Sequence, residues 1–184
     1  TYKFLTNKEL RESTIAISGV GKVGSKLSKL LFEKKANLIV SNIGRDSMDQ
    51  LKHDKISFTE SDINSIFEQE CDIISPCALG GVINSETKKK LKCKAIVGAA
   101  NNQLDKSETA EWLKENNIFY APDYLVNSGG VIAISCEINN SEEILEDQLN
   151  KISDKVLSLL KESKKSSLST EKIVEDLAWK RINS

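Results

Sequence analysis

Residues 17–31 read ISGVGKVGSKLSKLL, and within them Gly19, Gly21 and Gly24 stand in the spacing G-x-G-x-x-G. That spacing carries chemistry only when a strand precedes it and a helix follows. The first glycine then allows a tight turn, the second lets backbone approach a pyrophosphate, and the third lets helix and strand pack closely. Both flanks are present: STIAIS (13–18) is apolar and β-branched, and KVGSKLSKLLFEKK (22–35) has helical periodicity. The start of that helix offers free N–H groups and the positive end of its dipole to phosphates. Lys22 and Val23 complete the loop side of the expected dinucleotide site, with Lys22 either adding charge there or standing in solvent.

An NAD site of this type also expects an acid at the end of the second strand, about 20 residues past the loop, to bind the adenosine ribose. Here NLIVSN (37–42) ends in Asn42, and the nearest acid, Asp46, lies beyond Ile43, Gly44 and Arg45. Asn42 can bond a ribose hydroxyl, but it does not repel a 2′-phosphate as a carboxylate would. Arg45 could pair with that phosphate. On these residues both NAD and NADP stay open.

Other chemistries find no matching set. Cys71, Cys77, Cys93 and Cys136 include no C-x-x-C pair and His53 is the only histidine, so no zinc site is expected. The cysteines read as reduced thiols of a cytoplasmic protein. His53 sits among lysines in LKHDKIS, a polar surface segment unsuited to a catalytic triad. The lysine runs at 34–35 and 88–90 also read as solvated helical faces, whereas a catalytic lysine needs a buried setting that lowers its pKa. Asp123, directly after Pro122, reads as a turn or capping group.

The elements that must position the glycine loop alternate. After the first strand and helix come NLIVSN, a short helix around 47–53, and KISFTE (55–60) as a weaker third strand. A helix over SDINSIFEQE (61–70), opened by Ser61 or Asp62, precedes DIISP (72–76). SETKKKLK (85–92) is expected to be helical before a strand over KAIVGAA (94–100). KSETAEWLKENN (106–117) is an amphipathic helix ending in asparagines, and IFYAP (118–122) is a sixth strand. Strands alternating with helices point to an α/β fold, a Rossmann-like, doubly wound, mostly parallel sheet. Beyond about residue 123 the chain turns helical. SEEILEDQLNKISDKVLSLLKESKK (141–165) puts Ile144, Leu145, Leu149, Ile152, Val156, Leu159 and Leu160 on one face. STEKIVEDLAWKRIN (169–183) is a last helix capped by Ser169 or Thr170.

A length of 184 residues fits one domain, expected to span 1–184 with C-terminal helices from about 127. With 26 basic and 27 acidic residues the net charge is −1, which gives no field for steering nucleic acid or anionic lipid. No apolar run approaches the ~20 residues of a membrane span. The opening TYKFLTNKEL has no signal-peptide pattern and no initiator Met, so a piece of a longer chain is expected.

Three further stretches follow the glycine loop in order: SPCALGGVIN (75–84), GAANNQL (98–104) and YAPDYLVNSGGVI (120–132). With it they closely resemble the C-terminal dinucleotide-binding domain of the leucine, phenylalanine, valine and glutamate dehydrogenases, with leucine dehydrogenase the nearest likeness. The resemblance runs from Ile15 to the AWKRI ending. It implies a parent enzyme, a homo-oligomer, that oxidises an L-amino acid with NAD, with NADP left open, giving a 2-oxo acid and ammonia. It implies that Gly19, Gly21 and Gly24 hold the pyrophosphate and that Asn42 stands at the adenosine ribose. Cys77, Ala78 and Leu79 would lie beside the adenosine end. Ala100 and Asn101 would flank the nicotinamide ribose, and Asn127 would lie near nicotinamide and substrate. Val131 and Ile134 would face the substrate side chain. Where glutamate dehydrogenases carry a serine for the substrate carboxylate, Ile134 is apolar, so an apolar amino acid is expected; a charged one would be desolvated without a partner. The alternative for Val131 and Ile134 is ordinary helix core. The family's catalytic lysines and aspartate belong to a separate N-terminal domain whose glycine-rich lysine segment has no counterpart here, so no catalytic residue is expected in this chain. The other function class is a free-standing dinucleotide-binding module without catalysis.

Overall fold

The run Thr14-Ile-Ala-Ile-Ser18 has no polar side in its middle, and a strand of that kind is stable only when both sheet faces are covered. In the computed structural model, which describes residues 1–183, it is the central strand. The chain opens with a short helix α1 (Tyr2–Thr6), then β1 (Thr14–Ser18), α2 (Lys22–Glu33), β2 (Asn37–Ser41), α3 (Asp46–His53) and β3 (Thr59–Glu60). The second half carries β4 (Ile73–Pro76), β5 (Ala95–Ile96), α4 (Ser107–Glu115) and β6 (Phe119–Tyr120). Four helices close it: α5 (Asp123–Val126), α6 (Gly129–Ile138), α7 (Leu145–Ser163) and α8 (Thr170–Ile182).

The six strands form one all-parallel sheet in the order β3-β2-β1-β4-β5-β6. Register decides what gathers at the edge. Ser18 lies opposite Ser41 on one side and Pro76 on the other, so β1, β2 and β4 end abreast. The chain order reverses between β1 and β4, which leaves a crevice at their carboxyl ends. Alternate side chains of β1 feed two cores. Ile15 and Ile17 pack with Leu38, Val40, Leu159 and Leu160 on one face, and Ala16 packs with Ile74, Ile96, Ile66 and Leu113 on the other.

Two expected helices do not form. Residues 61–70 make a turn in which the Asp62 side chain accepts the Asn64 N–H at 2.8 Å, followed by a single 3-10 turn, Ile66–Glu68. Asp62 and Asn64 satisfy each other locally, and the fully buried Ile66 with Phe67 anchors the segment against the sheet. The run 85–92 is likewise one 3-10 turn, Thr87–Lys90, because the Asn84 and Thr87 side chains bond loop backbone. The strand expected over 94–100 shortens to Ala95–Ile96, since Gly98 is pressed onto the backbone of Pro76. In α7 only the second half of the expected apolar face is buried: Val156, Leu159 and Leu160 are core, while Leu149 and the preceding Ile144 are exposed.

Candidate functional site

Three loops leave the sheet at the carboxyl ends of β1, β4 and β5. The first is tied to its neighbours by backbone: Gly19 N–H donates to the Ser41 carbonyl at 2.8 Å, and Cys77 N–H to the Ser18 carbonyl at 2.8 Å. Gly19 has φ +97, a conformation L side chains rarely adopt, and a Cβ there would collide with Ala78. A Cβ on Gly24 would drive into the Gly19 carbonyl oxygen. Both glycines are thus demanded by the protein itself. Gly21 is different. It has an ordinary φ of −67, and a Cβ there would meet nothing within 4 Å.

Gly21 is also the N-cap of α2, a twelve-residue helix with no side-chain cap and no acid in its first turn. The leading N–H groups of a helix lack intrahelical partners, and here no carboxylate or hydroxyl takes them up. Lys22 and Val23, both exposed, stand at this end. The arrangement is a cationic backbone cradle opening on free space, and its chemistry suits a phosphate or pyrophosphate. The residues present fit a dinucleotide: the uncapped N–H groups at the start of α2 face open space, with no side chain at Gly21 to stand in the way.

Asn42 is committed in part to the loop. Its Oδ1 accepts the Val20 N–H at 3.1 Å and its Nδ2 donates to the Gly44 carbonyl at 2.8 Å. One N–H and one lone pair remain for a ligand. Beyond it, a cavity of about 310 Å³ is lined by Asn42, Ile43, Arg45, Met48, Lys52 and Glu60. Both charge signs meet there: Lys52 pairs with Glu60 and approaches Asp49 at 4.0 Å. That pairing with Lys52 holds the Glu60 carboxyl below its ordinary pKa, with a smaller contribution from Arg45.

The second loop brings Cys77, Ala78 and Leu79 over the glycines, Leu79 being 62% exposed. The third hangs from β4, with the Ala99 and Ala100 N–H groups donating to the Pro76 carbonyl at 2.9 and 3.0 Å. It ends at Asn101, whose Oδ1 accepts from Asn127 Nδ2 at 2.5 Å. Asn127 closes α5, and α6 starts two residues later with Val131 (72% exposed) and Ile134 (58% exposed) three residues apart. In this chain both are therefore surface residues.

Sequence reading missed the part played by Asp123. It is more than a turn residue: its carboxylate is buried and accepts the Gln103 N–H at 2.8 Å and the Tyr120 hydroxyl at 3.1 Å. Gln103 lies 20 positions away, so no local pattern signals the bond. Lys34, Lys35, Lys89 and Lys90 are exposed, and Lys88 is half-buried. Lys90 donates to Glu68 at 2.8 Å and Lys88 stands over the Trp112 ring at 5.5 Å. Lys90, Lys94 and Lys172 have pKa values pushed up by carboxylate partners, the opposite of what a catalytic base needs. Among the described residues no three His, Cys, Asp or Glu side chains are arranged to hold a metal ion, and no helix is long and apolar enough to cross a membrane.

An all-parallel sheet in this order, with a glycine loop opening the helix after its central strand, defines a Rossmann-type nucleotide-binding fold. Within that class the chain belongs to the glutamate/leucine/phenylalanine/valine dehydrogenase family, whose family model matches residues 39–177. It is 38% identical over 187 positions to the phenylalanine dehydrogenase of Thermoactinomyces intermedius, covering 99% of this chain and 50% of that protein. The leucine dehydrogenase of Bacillus subtilis (strain 168) is 44% identical over 139 positions, covering 74% and 38%. The crystal structure of L-tryptophan dehydrogenase from Nostoc punctiforme superposes with a TM-score of 0.88 at 34% identity, covering 93% of this chain and 52% of that one. Phenylalanine and leucine dehydrogenases are thus comparably similar, and the chain spans about half the length of the curated relatives it matches.

Proposed function

We propose that this chain is the C-terminal, nicotinamide-dinucleotide-binding domain of an amino-acid dehydrogenase that oxidatively deaminates an apolar L-amino acid, of leucine or valine type, to a 2-oxo acid. The observation that carries the reading is the amino end of α2, which has no side-chain cap and at Gly21 opens on free space. The pyrophosphate sits on the free N–H groups at Gly21–Gly24. The adenosine half follows Asn42, Ile43 and Arg45 on one side and Cys77, Ala78 and Leu79 on the other. The nicotinamide ribose lies by Ala100 and Asn101, and the ring by Asn127. When bound, the nicotinamide supplies the acceptor for the substrate's hydride. This chain's own part is to bind and orient: the Asn101–Asn127 amides offer donors and acceptors, and Val131 with Ile134 gives an apolar wall that excludes water and leaves a charged side chain unpaired. The acid–base groups come from the remainder of the parent enzyme.

NAD is the preferred cofactor. Asp49, Glu60 and Asp62 line the adenosine-side cavity beside Arg45 and Lys52, and Lys52 is already engaged by Glu60. A 2′-phosphate entering there meets three carboxylates against two cations, one of them taken. The four free cysteines suit a cytoplasmic setting.

Calorimetry with NAD and NADP tests this directly, together with an assay on leucine, valine and phenylalanine. The expected result is NAD binding with no turnover by the chain alone. NADP binding more than about tenfold tighter than NAD, ~1.4 kcal/mol, would reverse the cofactor assignment. Robust turnover would overturn the assignment of the acid–base groups to another part of the enzyme.

A further inference from the structure

Among the described residues Asp123 is the one charged side chain that is buried, at 8% exposure. No lysine or arginine among the described residues pairs with it. A buried carboxylate without a cation is costly, and it persists only where hydrogen bonds replace water. Here one oxygen, Oδ2, accepts both the Gln103 backbone N–H at 2.8 Å and the Tyr120 hydroxyl at 3.1 Å. The Asp123 N–H returns to the Tyr120 hydroxyl oxygen at 3.3 Å. Burial first, and then the Asp123 charge, push the Tyr120 hydroxyl pKa up, so the tyrosine keeps its proton and remains a donor.

The two ends of Asp123 reach two different loops. Through its carboxylate it holds Gln103, whose fully buried side chain donates from Nε2 to the Ala100 carbonyl at 3.0 Å. That bond spans Asn101 and fixes the loop on which it sits. Through its carbonyl Asp123 accepts the Asn127 N–H at 2.8 Å. Asn101 and Asn127 then meet side chain to side chain at 2.5 Å. One residue therefore sets the separation of the two amides.

We infer that Asp123 is a positioning residue for the nicotinamide half of the dinucleotide: it registers the Asn101 loop against the Asn127 turn so that both amides address the same ligand. This inference rests on the dinucleotide reading above. A turn residue with a purely structural part would be needed equally for any ligand of the fold. A positioning residue is needed only for the half of the ligand that reaches these loops.

ADP ends short of Asn101 and Asn127, whereas NAD extends to them, so titration of the chain with both separates the cases. Wild type is expected to bind NAD more tightly than ADP. Asp123→Leu, which removes the acceptor, is expected to lose that margin, with NAD weakened about tenfold or more and ADP little changed, in keeping with the loss of charge-assisted bonds. Asp123→Asn keeps an oxygen at the Oδ2 position and is expected to retain most of the margin. Tyr120→Phe removes one donor and leaves the backbone bonds, and it serves if the leucine variant fails to fold; it should weaken NAD and spare ADP. A margin unchanged in Asp123→Leu, or in Tyr120→Phe when that variant alone folds, overturns the inference, as does an equal loss of NAD and ADP. A wild type that binds ADP but gains nothing from the nicotinamide half would overturn the placement of Asn101 and Asn127 at the nicotinamide, and this inference with it.

Discussion

Gly21 and Gly24 lie three positions apart and make opposite demands. Gly24 faces the Gly19 carbonyl with no room for a methyl, so Gly24→Ala should cost about 1–3 kcal/mol by overpacking and weaken the fold itself. Gly21 faces open space, so Gly21→Ala should lower stability by less than about 1 kcal/mol. Its new Cβ would nonetheless stand where the proposed pyrophosphate approaches, and NAD affinity should fall by about tenfold, ~1.4 kcal/mol. Thermal melts and calorimetry on both variants check the contrast; a Gly21→Ala protein with wild-type affinity would remove the strongest support for the site. On the proposed function Ile134 makes the corresponding demand on the substrate. In the parent enzyme, Ile134→Ser should cut kcat/KM for leucine or valine several-fold to tenfold, since each lost methylene contact is worth about 0.8 kcal/mol. Glutamate activity need not appear, because one hydroxyl does not hold a carboxylate. A wild-type parent that prefers glutamate would show that Ile134 does not face the substrate.

At the scale of elements, α8 shows how local signals and tertiary contacts combine. Ser169 caps it as expected, accepting the Lys172 N–H at 3.3 Å, and its hydroxyl donates to Glu111 at 2.7 Å. Thr170 bonds the Tyr120 carbonyl at 2.6 Å and so pins the helix to β6. Glu171 follows, with Oε2 buried and unpartnered among Asp123, Glu175 and Glu111. Burial first, then those carboxylates, push its pKa above the ordinary 4.5, against the helix dipole that favours an acid in the first turn. The folded state therefore holds this proton to higher pH than the unfolded chain. The stability tied to it is present below about pH 4.5 and is lost as pH rises through the raised value. Glu171→Gln, neutral at every pH, should raise the Tm by about 2 °C at pH 7 and by less at pH 4. A gain that does not change with pH would contradict the assignment. The cap of α8, the strands β1, β2 and β4 and the helix α2 were all legible, because periodicity and capping are local properties of the chain. The runs 61–70 and 85–92 misled, because Asp62, Asn84 and Thr87 spend their side chains on loop backbone while Ile66 is drawn into the core from outside the pattern. The exposed first half of the α7 stripe was equally invisible, since amphipathicity says which face is apolar and not what covers it.

For the molecule as a whole, the alternation of elements made a parallel doubly wound sheet the expected fold, and the family likeness of the ordered motifs pointed to the same answer. What sequence could not supply was the convergence. Asn42 turning back to Val20, Asn101 meeting Asn127, and Asp123 reaching Gln103 each join residues 20 or more positions apart. Such bonds depend on three strands ending abreast, which only the register reveals. The same convergence gathers the proposed contacts in one place: the carboxyl edge of the sheet. A second cavity, of about 350 Å³ beside Lys114, Phe119 and Leu160, lies by the start of β6 and has no part in it. The most direct test is an amide NMR titration of the chain with NAD. The expected result is a single saturable set of shifts at Gly19–Gly24, Asn42–Arg45, Cys77–Leu79, Ala100–Asn101 and Asn127. Shifts confined to the cavity beside Phe119, or none at saturating NAD, would contradict the account.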